Sequence, residues 1–312
     1  METRNTSTVT KFILVGFTGS PELRIFIFIF LLIIYITTIL GNVVIIVVVA
    51  VDRTLQTPMY FFLWNLSVLE TFNISNIVPL MLAQIFKVDR SISIIGCFTQ
   101  CFVYFYLATI VFYLMPIMSY DRYVAICNPL RYTTIMHRCF CIRLIIGSWL
   151  GASMSIMSPT VLLFRLPFCG PNIIDHLFCD SLAIMRLACT DTTFLRLTTA
   201  ISALIFLPCS LGLTIVSYVF IASTILRIPS TNGRRKAFST CSSHLFMVTT
   251  VYGSAIFVEA SPVLPTSRGA FLTVHMFTNI LSPLINPYIY TIRNEKFKEV
   301  LKKQLHCKIQ FN

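Results

Sequence analysis

The sequence predicts an all-α membrane protein: a seven-transmembrane helix bundle with its N-terminus outside and its C-terminus in the cytoplasm. Hydrophobic residues make up 56 % of the 312 residues and charged residues only 12 %, and the mean hydropathy is +0.81. Repeated apolar runs exceed the roughly 18 residues that indicate a membrane span. The first run, Ile25–Val51, is too long for the apolar core of a signal peptide and lacks a small-residue cleavage site, so it is interpreted as a retained span.

The distribution of charge fixes the predicted topology. With the N-terminus outside, nine Lys and Arg residues fall outside and fifteen fall inside or at the inner edge. Seven acidic residues fall outside and four inside, with Glu70 within the membrane. This bias matches the positive-inside rule. The net charge of +12 therefore needs no nucleic-acid partner to explain it.

The chain divides into three predicted regions. Residues 1–23 are predicted to form a short, polar N-terminal tail on the outer side. Residues 24–292 form the bundle, and residues 293–312 form a cytoplasmic tail that contains a short amphipathic helix. The approximate spans are 24–51, 58–85, 97–126, 141–163, 198–226, 237–259 and 271–292.

Four strings punctuate these spans. Leu55–Tyr60 reads L-Q-T-P-M-Y, Met118–Cys127 reads M-S-Y-D-R-Y-V-A-I-C, Lys236–His244 reads K-A-F-S-T-C-S-S-H, and Pro283–Asn294 reads P-L-I-N-P-Y-I-Y-T-I-R-N. Taken alone, the Asp-Arg pair in the second string is equally typical of an interfacial ion pair at a helix end. Taken alone, the basic start of the third string is typical of a helix end near anionic lipid.

In this order along the chain, the strings resemble those of odorant (olfactory) receptors of the tetrapod-type class, within the rhodopsin-like G-protein-coupled receptors. Two departures stand out. Gln56 replaces the histidine that is usual in the family, so any role of that histidine does not transfer. Val251–Ser254 lacks the Trp and Pro that many members of the wider superfamily carry at this place, and odorant receptors lack them too. A hinge at that proline therefore cannot be assumed for this chain.

The resemblance implies a function. A small volatile odorant would bind within the bundle and shift the population toward a state in which the inner ends of the fifth and sixth spans leave Arg122. That state would activate a heterotrimeric G protein with a stimulatory, olfactory-type alpha subunit and raise cyclic AMP, in the plasma membrane of olfactory sensory cilia. The residues expected to act in coupling and activation are Asp121, Arg122, Tyr123, Tyr218, Lys236, His244, Asn286, Pro287 and Tyr290.

The resemblance also implies a ligand pocket among the third, fifth, sixth and seventh spans. Tyr104 stands where receptors for biogenic amines carry an aspartate, so a cationic amine has no such anchor. From helical periodicity alone, the side chains expected to face the ligand would be assigned to helix–helix packing. Glu259 either favours a donor-bearing odorant or faces water. The expected ligand-facing residues are Tyr104, Phe105, Ala108, Thr109, Ser202, Phe206, Tyr252, Ala255, Glu259, Met276 and Asn279.

Asn42 and Glu70 are predicted to form an intramembrane polar network, since an ionisable group at mid-span indicates a functional site. Two interpretations of Glu70 stay open. It is either a carboxylate in a sodium and water network, as the resemblance implies, or a protonated, hydrogen-bonded structural side chain.

Four cysteines fall in or beside predicted outer loops, where disulfides persist: Cys97, Cys169, Cys179 and Cys189. Four cysteines allow three pairings, and the resemblance implies Cys97–Cys179 with Cys169–Cys189. A metal site using His176, Cys179 and Asp180 is the weaker alternative, because the loop offers few further donors.

Two modifications and a lipid contact are predicted. Asn5 begins an N-x-[ST] sequon on the outer side and is a glycosylation candidate, whereas the sequon at Asn73 lies inside a span and is discounted. Cys307 is a lipidation candidate. Phe297, Val300, Leu301 and Leu305 are spaced as one apolar helix face among lysines, which indicates a helix on the inner membrane surface.

The alternatives are a rhodopsin-like receptor for an endogenous metabolite outside the nose and, from another class, a transporter or channel. A transporter would show inverted repeats, broken helices or several mid-membrane charges, and only Glu70 lies well inside a span. An enzyme is not indicated, since neither H-E-x-x-H nor G-x-S-x-G occurs. No cofactor or metal is implied.

Overall fold

The protein is described by a computed structural model that covers residues 9–16, 19–87, 90–169, 171–260, 273–292 and 294–309, without the side chains of 236, 239, 240, 290–292 and 305–309. Long helices dominate this part of the chain. They are α1 (Pro21–Val51), α2 (Pro58–Ile85), α3 (Ile94–Cys127), α4 (Arg138–Phe164), α5 (Thr193–Leu226), α6 (Thr231–Ala260), α7 (Ser282–Ile292) and α8 (Glu295–Ile309). A π-helical turn, Phe277–Leu281, leads into α7.

Six of the described helices are long and apolar enough to cross a membrane: α1 to α5, and α6 over Cys241–Ala260. The seventh helical segment is described only from residue 273. With α8 following α7, the architecture is the predicted seven-helix bundle and its amphipathic C-terminal helix.

Several helices begin earlier than the predicted spans, and at α1, α3 and α4 a polar side chain caps the first turn. Ser20 Oγ accepts from the Leu23 amide at 3.3 Å, and Ser93 Oγ accepts from the Gly96 amide at 3.0 Å. His137 Nδ1 accepts from the Phe140 amide at 3.1 Å and so starts α4 at Arg138. Such caps satisfy amide groups that have no partner within the helix, so helix limits and apolar limits differ by several residues. The difference is largest at α6, which begins at Thr231 although the apolar run begins at 237.

The largest core cluster lies where α2, α3 and α4 meet. Phe62, Ile110, Leu114 and Ala152 are among its fully buried members. At the end of the bundle that carries Arg122, called here the Arg122 end, the cluster extends to Phe297 and Val300 of α8. These two side chains are buried, whereas Lys296, Lys298, Lys302 and Lys303 are exposed. The helix is therefore amphipathic as the spacing predicts.

The opposite end, called here the disulfide end, carries a three-stranded sheet in the order β2-β1-β3. Strand β1 (Lys11–Leu14) runs antiparallel to β2 (Ser91–Ser93) and parallel to β3 (Ile173–Ile174). Phe12 and Leu14 point into a buried cluster with Cys97 and Cys179. The prediction of a polar N-terminal tail over 1–23 therefore missed a strand: the K-F-I-L segment alternates exposed and buried side chains, as a half-buried strand does.

Candidate functional site

A cavity of about 640 Å³ lies between α2, α3, α4, α5, α6 and α7. This volume falls within the range of about 300–1,000 Å³ that is typical of small-molecule sites. On α3 the positions 104, 105, 108, 109 and 112 line the cavity together with 101, 102, 107 and 111, so more than one face of this helix contributes to the wall. Aromatic rings form part of this wall: Phe112 of α3 and Phe206 of α5 both line the cavity, with ring centroids 6.5 Å apart. Tyr113 does not line it but contacts Phe206, with ring centroids 4.5 Å apart.

Nine of the eleven residues expected to face a ligand line this cavity: Tyr104, Phe105, Ala108, Thr109, Ser202, Phe206, Ala255, Glu259 and Asn279. They come from four separate helical segments, so the fold brings together what the sequence separates by up to 175 positions. Their contact with a ligand stays a prediction.

Tyr252 and Met276 lie outside the cavity wall. The Tyr252 hydroxyl is 2.5 Å from Ser210 Oγ and 3.4 Å from Thr214 Oγ1, so Tyr252 joins α6 to α5 beside the cavity. Met276 packs in an apolar cluster with residues of α1 and α2. Both side chains therefore contact neighbouring helices rather than the cavity.

Sequence reasoning missed the contribution of α4 and of the segment before α5. Ser155, Ile156, Pro159 and Thr160 of α4 line the cavity, as does Met185 of the short helical turn Ser181–Met185. In the sequence these residues belong to an ordinary apolar run without a motif. No signal in the chain distinguishes them from lipid-facing neighbours.

Two disulfides close the disulfide end. Cys97–Cys179 ties α3 to the segment before α5, and Cys169–Cys189 closes that segment on itself. These are the pairings that the resemblance implies. The Cys179 amide also donates to Gln100 Oε1 at 3.0 Å, which holds the segment against α3.

The alternative of a metal site at His176, Cys179 and Asp180 conflicts with this arrangement. The Cys179 sulfur is bonded to Cys97 and cannot act as a thiolate ligand. Asp180 Oδ2 accepts from the amides of Leu182 and Ala183 at 2.9 and 3.3 Å, so it caps the short helical turn. The described residues contain no group of three His, Cys, Asp or Glu side chains placed to hold a metal ion.

Glu70 and Asn286 meet at the cavity wall, where Asn286 Nδ2 donates to Glu70 Oε1 at 2.5 Å. Asn42 lies within hydrogen-bonding reach of the same carboxyl group, and its Nδ2 donates to the Thr38 carbonyl at 3.1 Å. The three side chains connect α1, α2 and α7 in one polar network. This geometry accommodates both interpretations of Glu70.

The Arg122 end is built from side chains that connect α3, α5 and α6. Arg122 Nη2 lies 3.3 Å from Asp121 Oδ2, and only 12 % of the Arg122 side chain is exposed. The Tyr218 hydroxyl lies 2.6 Å from His244 Nδ1, which links α5 to α6. Tyr123 contacts Phe220 of α5, with ring centroids 5.7 Å apart.

Tyr132 completes this arrangement and was not predicted as a site residue. It follows α3 and donates from its hydroxyl to Asp121 Oδ1 at 2.8 Å. Burial, with the neighbouring Asp121 carboxylate, raises the pKa of Tyr132 above its ordinary value. The hydroxyl therefore stays protonated and acts as a donor at neutral pH.

Pro287 lies in α7 and meets α1 at Gly41, where an added Cβ atom would be 3.1 Å from Pro287 Cβ.

Four predicted site residues have side chains that the structure does not describe. Asn5 lies outside the described residues, and the side chains of Lys236, Tyr290 and Cys307 lie outside the described part of the chain.

Comparisons with known proteins agree with this arrangement. The family model for olfactory receptors matches residues 31–308. Olfactory receptor 6E1 of Mus musculus is 44 % identical over 302 residues, covering 96 % of each chain. Olfactory receptor 6J1 of Homo sapiens is 44 % identical, covering 95 % of this chain and 86 % of the relative.

The fold is also that of a solved rhodopsin. The crystal structure of squid rhodopsin superposes with a TM-score of 0.71 at 17 % identity, covering 96 % of this chain and 91 % of that one. The chain therefore belongs to the olfactory receptor family, has the fold of a rhodopsin and is a multi-pass protein of the plasma membrane.

Proposed function

We propose that this receptor binds a small volatile odorant in the 640 Å³ cavity and activates a stimulatory, olfactory-type heterotrimeric G protein, which raises cyclic AMP. One observation carries the proposal: nine separately predicted ligand-facing residues converge on one cavity. Its wall is aromatic and aliphatic, with a few polar groups that orient a ligand. Such walls suit small, weakly polar molecules.

Two helices connect the cavity with the Arg122 end. On α5, Phe206 lines the cavity and Tyr218 lies three turns further on. On α6, Ala255 lines the cavity and His244 lies three turns away at the Tyr218 contact. A ligand that favours a different spacing of α5 and α6 therefore biases the Tyr218–His244 contact beside Arg122, which is a population shift.

The G protein is proposed to dock at the Arg122 end. Separation of α5 and α6 there would free Arg122, with Asp121 and Tyr123 beside it, for contact with the alpha subunit. Lys236, Asn286, Pro287 and Tyr290 keep their predicted roles in coupling and activation. Asn42 and Glu70 keep their predicted role as the polar network that connects α1, α2 and α7.

The disulfide end is proposed to face outward and the Arg122 end the cytoplasm. The bias of Lys and Arg toward the Arg122 end supports this topology, as does the persistence of disulfides in oxidising surroundings. The exposed lysines of α8 would then contact anionic lipid of the inner leaflet. Glycosylation of Asn5, lipidation of Cys307 and residence in olfactory cilia remain predictions.

A cyclic AMP reporter assay tests the proposal. Cells expressing the receptor are screened against a broad panel of volatiles beside Arg122→Ala and a control, Arg143→Ala, all matched for surface expression. Arg143 is an exposed arginine near the start of α4. We expect a dose-dependent response that Arg122→Ala abolishes and Arg143→Ala retains. A response that persists in Arg122→Ala would contradict the role proposed for Arg122.

A further inference from the structure

We propose that ligands reach the cavity sideways from the hydrocarbon of the membrane, through a lateral opening between α4 and α5. The class of ligand that this route admits is neutral and membrane-soluble. The proposal rests on the proposed function in one respect, the use of the cavity as the ligand site. It adds the route of entry and the chemistry that the route selects.

The cavity wall reaches the surface of the molecule mainly on two helices. Among the residues that the structure describes, six line the cavity and are also exposed, whereas the rest of the wall is buried or half-buried. One of the six is Glu259, and the other five lie on α4 and α5: Ser155, Phe164, Ser202, Ile205 and Cys209. The three on α5 are spaced i, i+3 and i+7, so they share one face of that helix. These five residues define the lateral opening.

Both helices beside the opening are held by α3 rather than by each other. The Tyr113 hydroxyl of α3 lies 3.1 Å from Ser155 Oγ of α4, and the Tyr113 ring packs against Phe206 of α5. On α5, Ser210 Oγ donates to the Phe112 carbonyl of α3 at 2.7 Å. No hydrogen bond, ion pair or ring contact joins α4 to α5 within the described residues, and α5 is the least buried of the six apolar helices. A small separation of α4 from α5 therefore breaks none of these contacts.

The surroundings of the opening are apolar. It lies in the halves of α4 and α5 nearer the disulfide end, and both helices are apolar enough to cross a membrane. From residue 202 to residue 209 the opening extends about 10 Å along α5, at a rise of about 1.5 Å per residue. The hydroxyls of Ser155 and Ser202 donate to carbonyls of their own helices at 2.8 Å, so the passage is lined by satisfied groups. Exposed apolar side chains flank it: Met157, Val161, Ile201 and Leu204.

Such a passage selects its ligands by their solubility in hydrocarbon. Each methylene raises the ratio of membrane to water concentration about fourfold, so a lipophilic molecule is concentrated at the opening. A charged group is costly within the bilayer, so ions are excluded from this route. The competing route starts in water beside Glu259, which lies at the C-terminal end of α6. That route would admit charged molecules as well.

Time-resolved photolabelling of the full-length receptor in phospholipid vesicles tests the route without depending on signalling. The probes are an uncharged aryl diazirine, which dissolves in the bilayer, and the same diazirine carrying a quaternary ammonium group. Each is mixed with the vesicles at low temperature and activated by a flash after a varied delay, and mass spectrometry locates the label. Phe105, Ala108 and Ala255 report filling of the cavity, because they line it and are half-buried. Leu213, which is exposed on α5 outside the cavity, reports arrival of the probe in the bilayer.

Substitutions at the opening change the rate of filling. Ile205→Trp narrows the opening and slows labelling of the three cavity reporters about fivefold or more relative to Leu213, while Ile205→Ala widens the opening and speeds it. The matched control is Leu204→Trp: Leu204 is 72 % exposed on the same helix, compared with 63 % for Ile205, but it does not line the cavity. Leu204→Trp leaves the rate unchanged. The charged probe labels the cavity reporters about tenfold less, or lower still, in every variant.

Three results overturn the lateral route: no label inside the cavity, equal filling rates for Ile205→Trp and Leu204→Trp, or a charged probe that fills the cavity as fast as the uncharged one. The last result would place entry in water beside Glu259. Failure of the proposed function gives a different result. Filling that Ile205→Trp slows, in a receptor that raises no cyclic AMP with any volatile, would remove the signalling role and keep the lateral route. An Arg122-dependent cyclic AMP response, with filling that Ile205→Trp leaves unchanged, would keep the proposed function and remove the route.

Discussion

Substitution of Gly41 by alanine tests the contact between α1 and α7. The added Cβ would lie 3.1 Å from Pro287 Cβ and 3.4 Å from Pro287 Cγ. Both atoms belong to a rigid ring that cannot rotate away. Overpacking of this kind lowers the free energy of unfolding by about 1–3 kcal/mol. The higher helix propensity of alanine offsets up to about 1 kcal/mol of this loss. The net destabilisation is therefore about 1–2 kcal/mol.

Three other glycines provide matched controls. An added Cβ at Gly147, Gly212 or Gly253 would meet no atom within 4 Å, so alanine there stabilises its helix by up to about 1 kcal/mol. The assay is the apparent unfolding temperature of purified receptor at one fixed scan rate, because the apparent temperature depends on scan rate when a disulfide-bonded protein unfolds irreversibly. At about 2–4 °C per kcal/mol, Gly41→Ala lowers this temperature by roughly 2–8 °C, while the controls leave it equal or higher. An unchanged or raised temperature for Gly41→Ala would refute the close approach of α1 to Pro287.

Two further predictions concern polar contacts. Tyr132→Phe removes the hydrogen bond to Asp121 and is expected to raise ligand-independent cyclic AMP. A loss of about 1.5 kcal/mol from the resting state corresponds to a roughly tenfold larger active fraction. Basal signalling equal to that of the wild type at matched expression would contradict this prediction. Glu70→Leu leaves the Asn286 amide without its acceptor and lowers the free energy of unfolding by about 1–3 kcal/mol. Glu70→Gln keeps an acceptor oxygen, so its free energy of unfolding stays within about 1 kcal/mol of the wild-type value. Equal unfolding temperatures for the two variants would show that the hydrogen bond does not contribute to stability.

Local sequence features were enough to predict the helices. Apolar runs depend on neighbours in the chain, so seven spans and the amphipathic α8 follow from the sequence, whereas the caps that extend several helices beyond those runs were not predicted. The ordered strings also located Arg122 and His244, which the fold brings to one end of the bundle together with Tyr218.

Long-range register explains what the sequence did not reveal. Strand β1 pairs with segments some 80 and 160 positions away, and four residues carry too little pattern to reveal such partners. The cavity wall depends on how each helix is rotated against its neighbours. That is why Ser155 and Thr160 were missed, and why Tyr252 lies beside the cavity rather than in its wall.

Blocking the cavity tests the central claim most directly. Ala108→Phe places a ring inside the cavity, and the control Ala222→Phe places the same ring on an exposed face of α5 outside it. The measurement is the cyclic AMP concentration–response curve of each variant, at matched surface expression, for an agonist found with the wild-type receptor. We predict that Ala108→Phe raises the half-maximal concentration at least tenfold while Ala222→Phe leaves it unchanged. A wild-type curve for Ala108→Phe would show that the ligand binds elsewhere.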